Sequence, residues 1–256
     1  MSLVLLEKHD GYAIVTLNRP AEMNALSRDL RKEFVAIFAD CSADENIRVI
    51  ILTGNGKAFC AGFDLKELGS DNSDNAADEV NNALAWAMSA FEGPIIGAIN
   101  GHAITGGFEM ALACDVLIAS ENARFADTHA RVGILPGWGL SQKLPRLIGL
   151  SRAKEISFTG APVFAQQAYE WGLVNHVFTA EELLPKAIEM AENMCGCVPH
   201  VLKQYKPLID EGYSMPLNEA MPWEEAKAIE SAKQASAAMI EARRKKVLEK
   251  GRSESE

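Results

Sequence analysis

The stretch Pro94-Ile-Ile-Gly-Ala-Ile-Asn-Gly101, His102-Ala-Ile-Thr-Gly-Gly-Phe-Glu109, Met110-Ala-Leu-Ala-Cys-Asp115 decides how this chain folds. Ile95–Ile99 is a continuous apolar run, the signature of a strand buried on both faces. Gly106-Gly107 make a turn, and the helix that follows starts almost on Glu109. The first N–H groups of a helix have no intrahelical acceptor and lie at the positive end of its dipole. Glycine lets a ligand approach them closely. An electrophile-activating site with a carboxylate about one turn away points to an enzyme rather than a binding module.

Outward from this stretch, the same grammar repeats. Leu3–Leu6 and Tyr12–Leu17 read as strands joined by the turn His9-Asp10-Gly11. Val49–Leu52 and Val116–Ala119 are further buried strands, and Arg28–Phe38 is a helix with Ser27 as N-cap. Strands alternating with helices predict an α/β domain built from repeated strand-to-helix units. Beyond Leu140 helices dominate: Leu140–Ile148, Arg152–Phe158, Gln166–Trp171, Ala180–Met194, Pro199–Asp210 and one long helix over Pro216–Lys250, with a short strand near Leu173–Phe178. Gly69–Asp78, polar and acidic, reads as a surface loop or lid. His102, after Asn100-Gly101, reads as a structural turn residue, and Asp115 as a helix end and strand entry.

The formal net charge of -10 argues against a nucleic-acid partner. Five cysteines, including the lone pair Cys195-x-Cys197, form neither a disulfide framework nor a zinc-binding pattern, so no metal and a reducing, cytoplasmic setting are expected. The glycines and polar residues between Pro94 and Ser120 exclude a membrane span there.

Three separated segments carry a resemblance: Ile14–Pro20 with Asn24-Ala-Leu26; Ala58-Phe-Cys-Ala-Gly-Phe-Asp-Leu65; and Asn100–Asp115 with Phe125-Ala-Asp127 and Gly133-Ile-Leu-Pro-Gly137. Together they resemble the crotonase superfamily, the enoyl-CoA hydratase/isomerase family. The resemblance implies a crotonase-like spiral of ββα units over residues 1–195, and a helical region at 196–256 that packs in a homotrimer or homohexamer. It implies an acyl-CoA substrate with CoA as part of it, no separate cofactor, and an oxyanion hole from the Phe63 and Gly106 N–H groups. Substrate contacts then fall on Asn24, Ala25, Leu26, Ala61, Phe63, Asp64, Leu65, Gly107, Pro136, Gly137 and Trp138, with Lys57 and Lys66 near phosphates. Trp138 stands where many relatives have a small residue.

One departure matters chemically. Hydratases of the family hold a water between two glutamates. The first corresponds to Glu109; at the second, in Phe125-Ala-Asp-Thr-His129, stands His129. Hydration needs a base for water and an acid for the α-carbon. The catalytic candidates are therefore Glu109, His129 and Asp127, and the expected activity is enoyl-CoA hydration. Single-base chemistry by Glu109 alone, as in an isomerase, thioester hydrolase or decarboxylase, is the alternative. A catalytically weak acyl-CoA- or RNA-binding relative is the other.

Overall fold

The computed structural model describes residues 2–68 and 79–253. The Gly69–Asp78 segment, expected to be a loop or lid, lies outside the described residues. Two compact units divide after Pro199, the second beginning at His200.

In the first unit, β1 (Val4–Lys8) and β2 (Tyr12–Leu17) form a hairpin, followed by α1 (Arg28–Ala43). Ser27 caps α1 as expected, its side chain accepting from the Leu30 N–H. Then come β3 (Val49–Gly54), β4 (Ala58–Cys60), α2 (Leu65–Leu68) and α3 (Glu79–Ala90). The next turn of the chain is β5 (Ile95–Ile99), β6 (His102–Ile104) and α4 (Gly106–Leu112). After it come β7 (Val116–Ser120), β8 (Arg124–Ala126) and α5 (His129–Val132). The unit ends through α6 (Leu140–Ile148), α7 (Leu150–Thr159), β9 (Val163–Phe164), α8 (Ala165–Glu170), β10 (His176–Phe178) and α9 (Ala180–Cys195).

The strands sort into two sheets, ordered β1-β2-β3-β5-β7-β10 and β4-β6-β8-β9. After the opening hairpin, the strand pairs β3-β4, β5-β6 and β7-β8 each lay one strand in the larger sheet and the next in the smaller, and a helix follows. This is the expected ββα repeat. Pairing from β2 to β10 in the larger sheet is parallel. Strands β3 and β5 are buried at every position, which explains their unbroken apolar sequence.

The smaller sheet brings the helix-starting segments together. A Cβ on Gly107 would lie 2.0 Å from the Cys60 carbonyl oxygen, so only glycine allows α4 to press against β4. Gly62, at φ +85, has Ile104 O 2.8 Å and Gly106 N 3.1 Å from the position a Cβ would take. His102 belongs to β6 rather than to a turn; a three-residue strand has too short a period to be read. Asp115 does tie a helix end to a strand entry, its carboxylate accepting from the Ile95 N–H at 2.7 Å.

In the second unit, α10 (Pro199–Ser214) is followed by α11 (Leu217–Ala232) and α12 (Ala237–Ser253). The single long helix expected over Pro216–Lys250 is thus two. The break falls at Ser236, whose hydroxyl accepts from the Met239 N–H at 3.2 Å, a capping bond that starts α12 afresh.

Candidate active site

All seven residues of α4 are buried, and Glu109 with them at 2% exposure. A carboxylate at that depth needs partners. Its Oε1 accepts from the Trp138 N–H at 2.7 Å and from the Leu140 N–H at 3.4 Å, both at the start of α6. Its Oε2 faces His129 Nε2 at 3.4 Å. The two oxygens therefore differ: one is held by backbone, the other is open to chemistry.

His129 opens α5 and is 4% exposed. Its Nδ1 lies 2.7 Å from Asp127 Oδ1, the same oxygen that accepts from the His129 backbone N–H at 3.1 Å. Asp127, at the end of the β8 segment, is itself buried. Burial works against a charged imidazolium, but the Asp127 and Glu109 carboxylates outweigh it and push the ring up to about 9. Burial likewise works against the Asp127 carboxylate, and hydrogen bonds from the His129 ring and backbone outweigh it, holding its pKa below the usual range. Around neutral pH the ring is a cation between anions.

Gly106 is the first residue of α4, and the first hydrogen bond of the helix joins the Glu109 N–H to the Thr105 carbonyl at 2.9 Å. Among the described residues neither the Gly106 nor the Phe63 N–H donates to a protein acceptor. The two residues are neighbours, since a Cβ on Gly106 would stand 3.5 Å from the Phe63 ring. Gly106, unlike Gly107, is not demanded by the packing of the chain itself. Thr105 before it holds φ 53, a strained conformation for a β-branched residue, with its hydroxyl against that of Thr128 and its N–H on the Ala126 carbonyl.

The Phe63 and Trp138 rings touch, with centroids 5.2 Å apart and planes at 52°. Trp138 thus meets Phe63 through its ring and Glu109 through its backbone N–H. The Arg31 guanidinium lies 5.2 Å from the Phe63 ring centroid, a contact that no local sequence pattern announced.

The other predicted contacts divide. The Asn24 side chain is fully buried and occupied by backbone: it accepts from the Arg19 N–H at 2.8 Å and donates to the Asn55 and Ala58 carbonyls at 3.0 and 2.7 Å. It shapes its loop, with φ 56, rather than facing a ligand. Asp64 pairs with Arg19 Nη1 at 2.6 Å and accepts from the Lys66 N–H at the start of α2, so it too fixes local structure. Leu26 is buried and its N–H donates to the Gly62 carbonyl, bridging the first and second segments. Ala25 and Ala61 are partly exposed beside it, and Leu65, Lys57 and Lys66 are exposed. Pro136 and Gly137 lead into Trp138. Gly107 is required by packing against Cys60.

A family model described as enoyl-CoA hydratase/isomerase matches residues 7–252. A probable peroxisomal enoyl-CoA hydratase 1 of Arabidopsis thaliana is 42% identical over 89% of this chain and 86% of its own. A short-chain-enoyl-CoA hydratase of Clostridium acetobutylicum is 36% identical over 94% of this chain and 95% of its own. Among solved structures, an enoyl-CoA hydratase from Bacillus anthracis superposes with TM-score 0.88 at 36% identity, covering 96% of this chain and 97% of that one.

Proposed function

This chain belongs to the enoyl-CoA hydratase/isomerase family and is an enoyl-CoA hydratase-like enzyme of acyl-CoA thioesters; we propose that it adds water to a trans-2-enoyl-CoA with Glu109 as base and the His129 imidazolium as acid. The observation that carries this reading is the 3.4 Å approach of His129 Nε2 to Glu109 Oε2. A water oxygen about 2.8 Å from both atoms closes a triangle on that edge.

Glu109 Oε2 takes a proton from water as the water oxygen bonds to C3. The C2=C3 electron pair shifts toward the thioester, and its oxygen becomes an enolate oxygen held by the Phe63 and Gly106 N–H groups. Each such donor is worth about 3–4 kcal/mol of barrier. His129 Nε2–H protonates C2, and the thioester carbonyl re-forms. The proton on Glu109 then passes to His129 Nε2, restoring both groups. One water has been added, and Asp127 keeps its charge throughout.

The thioester lies beside the Phe63–Trp138 ring pair, with the CoA portion passing Ala25, Leu26, Ala61 and Leu65 and its phosphates within reach of Lys57 and Lys66. CoA belongs to the substrate, and these steps draw on no further cofactor or metal. Among the described residues no helix is long and apolar enough to cross a membrane. Five free thiols support a reducing compartment, the cytoplasm in the first instance. The exposed apolar residues Tyr205, Ile209, Tyr213 and Met221 of the second unit support assembly into a homotrimer or homohexamer.

The test is loss of the conjugated enoyl absorbance on mixing with a short trans-2-enoyl-CoA. Wild type bleaches it, and Glu109→Gln is expected to slow this by about 10²–10⁴. Undiminished hydration by Glu109→Gln would overturn the assignment. Double-bond migration without hydration by wild type would select a single-base isomerase instead.

A further inference from the structure

Thr105 and Thr128 precede the short helices α4 and α5, each at the position where a threonine hydroxyl ordinarily caps its own helix. Neither makes that bond. The two hydroxyls bond each other instead, and Thr105 Oγ1 also accepts from the Thr128 backbone N–H at 3.3 Å. The Thr105 N–H donates to the Ala126 carbonyl at 2.8 Å, and the Thr105 carbonyl accepts from the Glu109 N–H at 2.9 Å. The polar atoms of this buried residue thus tie the start of α4, which carries Glu109, to the β8–α5 segment, which carries His129.

The backbone shows that the side chain is there for more than filling space. Thr105 holds φ 53, which glycine adopts freely and a β-branched residue resists. A side chain kept against its backbone preference, with its hydroxyl reaching the segment of the other reacting residue, is strain retained for position. We infer that Thr105 and Thr128 are positioning residues for the reacting pair: their bonds fix the start of α4 against the start of α5 and so keep Glu109 Oε2 and His129 Nε2 3.4 Å apart. Glu109 follows Thr105 by about one helical turn, and His129 follows Thr128 directly. Both threonines act through those residues. Loosening the pair lets the two reacting atoms drift out of reach of one water, a change that slows the chemical step and leaves thioester binding intact. The inference rests on the proposed roles of Glu109 and His129.

The experiment measures hydration of a short trans-2-enoyl-CoA by Thr105→Gly, Thr128→Val, their double variant and Thr105→Ser, beside His129→Gln. Thr105→Gly keeps the turn and removes the hydroxyl; Thr128→Val removes the partner hydroxyl and keeps the side-chain shape. Each is expected to lower kcat roughly tenfold, as for one hydrogen bond, with KM unchanged. The double variant should fall no further than Thr105→Gly, because both changes break the same link. Thr105→Ser should restore the wild-type kcat. Wild-type kcat in both single variants, or losses that multiply in the double variant, would overturn this inference; a slow His129→Gln in the same assay would leave the hydratase reading standing. Equal losses in Thr105→Gly and Thr105→Ser, or a raised KM at wild-type kcat, would also overturn it. Full activity of His129→Gln would overturn both the inference and the reading beneath it.

Discussion

Glu109 Oε2 and His129 Nε2 stand 3.4 Å apart, each side chain at most 5% exposed. A buried anion and a buried cation share one edge, and a second anion, Asp127, backs the cation at 2.7 Å. The arrangement lets one group take a proton while the other gives one, and it sets a pH dependence.

Activity is expected to fall as pH rises through about 9, where His129 loses its proton. Asp127→Asn removes one of the two carboxylates that favour the imidazolium, so the alkaline limb should move to lower pH. Stability follows the same sign. The folded-state pKa is raised, so the contribution of His129 is fully present below its unfolded value of about 6.5 and lost as pH rises through the folded one. A kcat/KM profile and thermal melts across this window check both statements.

Gly106→Ala and Gly107→Ala should part company. The new Cβ at 106 meets the Phe63 ring at 3.5 Å, an ordinary contact, whereas at 107 it meets backbone at 2.0 Å. Gly106→Ala is expected to fold and lose turnover by crowding the thioester oxygen. Gly107→Ala is expected to lose at least about 1–3 kcal/mol of stability through overpacking. Melting temperature and kcat/KM, measured on both, separate the two.

Asn24→Ala should destabilise without altering the chemistry. It leaves the Arg19 N–H and the Asn55 and Ala58 carbonyls short of a partner. The expected loss is about 1–3 kcal/mol, read by urea unfolding. An unchanged midpoint would mean that the side chain does not hold the loop.

Trp138→Ala should relax acyl selectivity while keeping the N–H that serves Glu109, because that bond comes from the backbone. Removing the ring from its contact with Phe63 opens space beside the Phe63 ring. Relative kcat/KM is expected to shift toward bulkier acyl chains. A uniform loss across all chain lengths would contradict this.

Much of this was legible in the sequence, for physical reasons. Strands β3, β5 and β7 are buried on both faces, so they read as unbroken apolar runs, and Ser27 announced α1 through its capping chemistry. Strands β4, β6 and β8 span three residues each, too few for a period, and surfaced only as motifs. Glu109, His129 and Asp127 were singled out, and the fold brings them together. Asn24 and Asp64 sit in motifs that point to ligand contacts, yet their polar atoms serve the backbone and Arg19. That distinction lives in tertiary hydrogen bonds. Arg31 reaches the Phe63 ring from α1, and the long C-terminal helix divides at a cap that its apolar pattern concealed.

The most direct test of the central claim is hydration of a short trans-2-enoyl-CoA by His129→Gln, with binding of the thioester measured on the same protein. The account predicts retained binding and a fall in kcat of about 10²–10⁴, the range for losing a general acid. Hydration at the wild-type rate would show that the proton for C2 comes from elsewhere, and that His129 is a spectator beside Glu109.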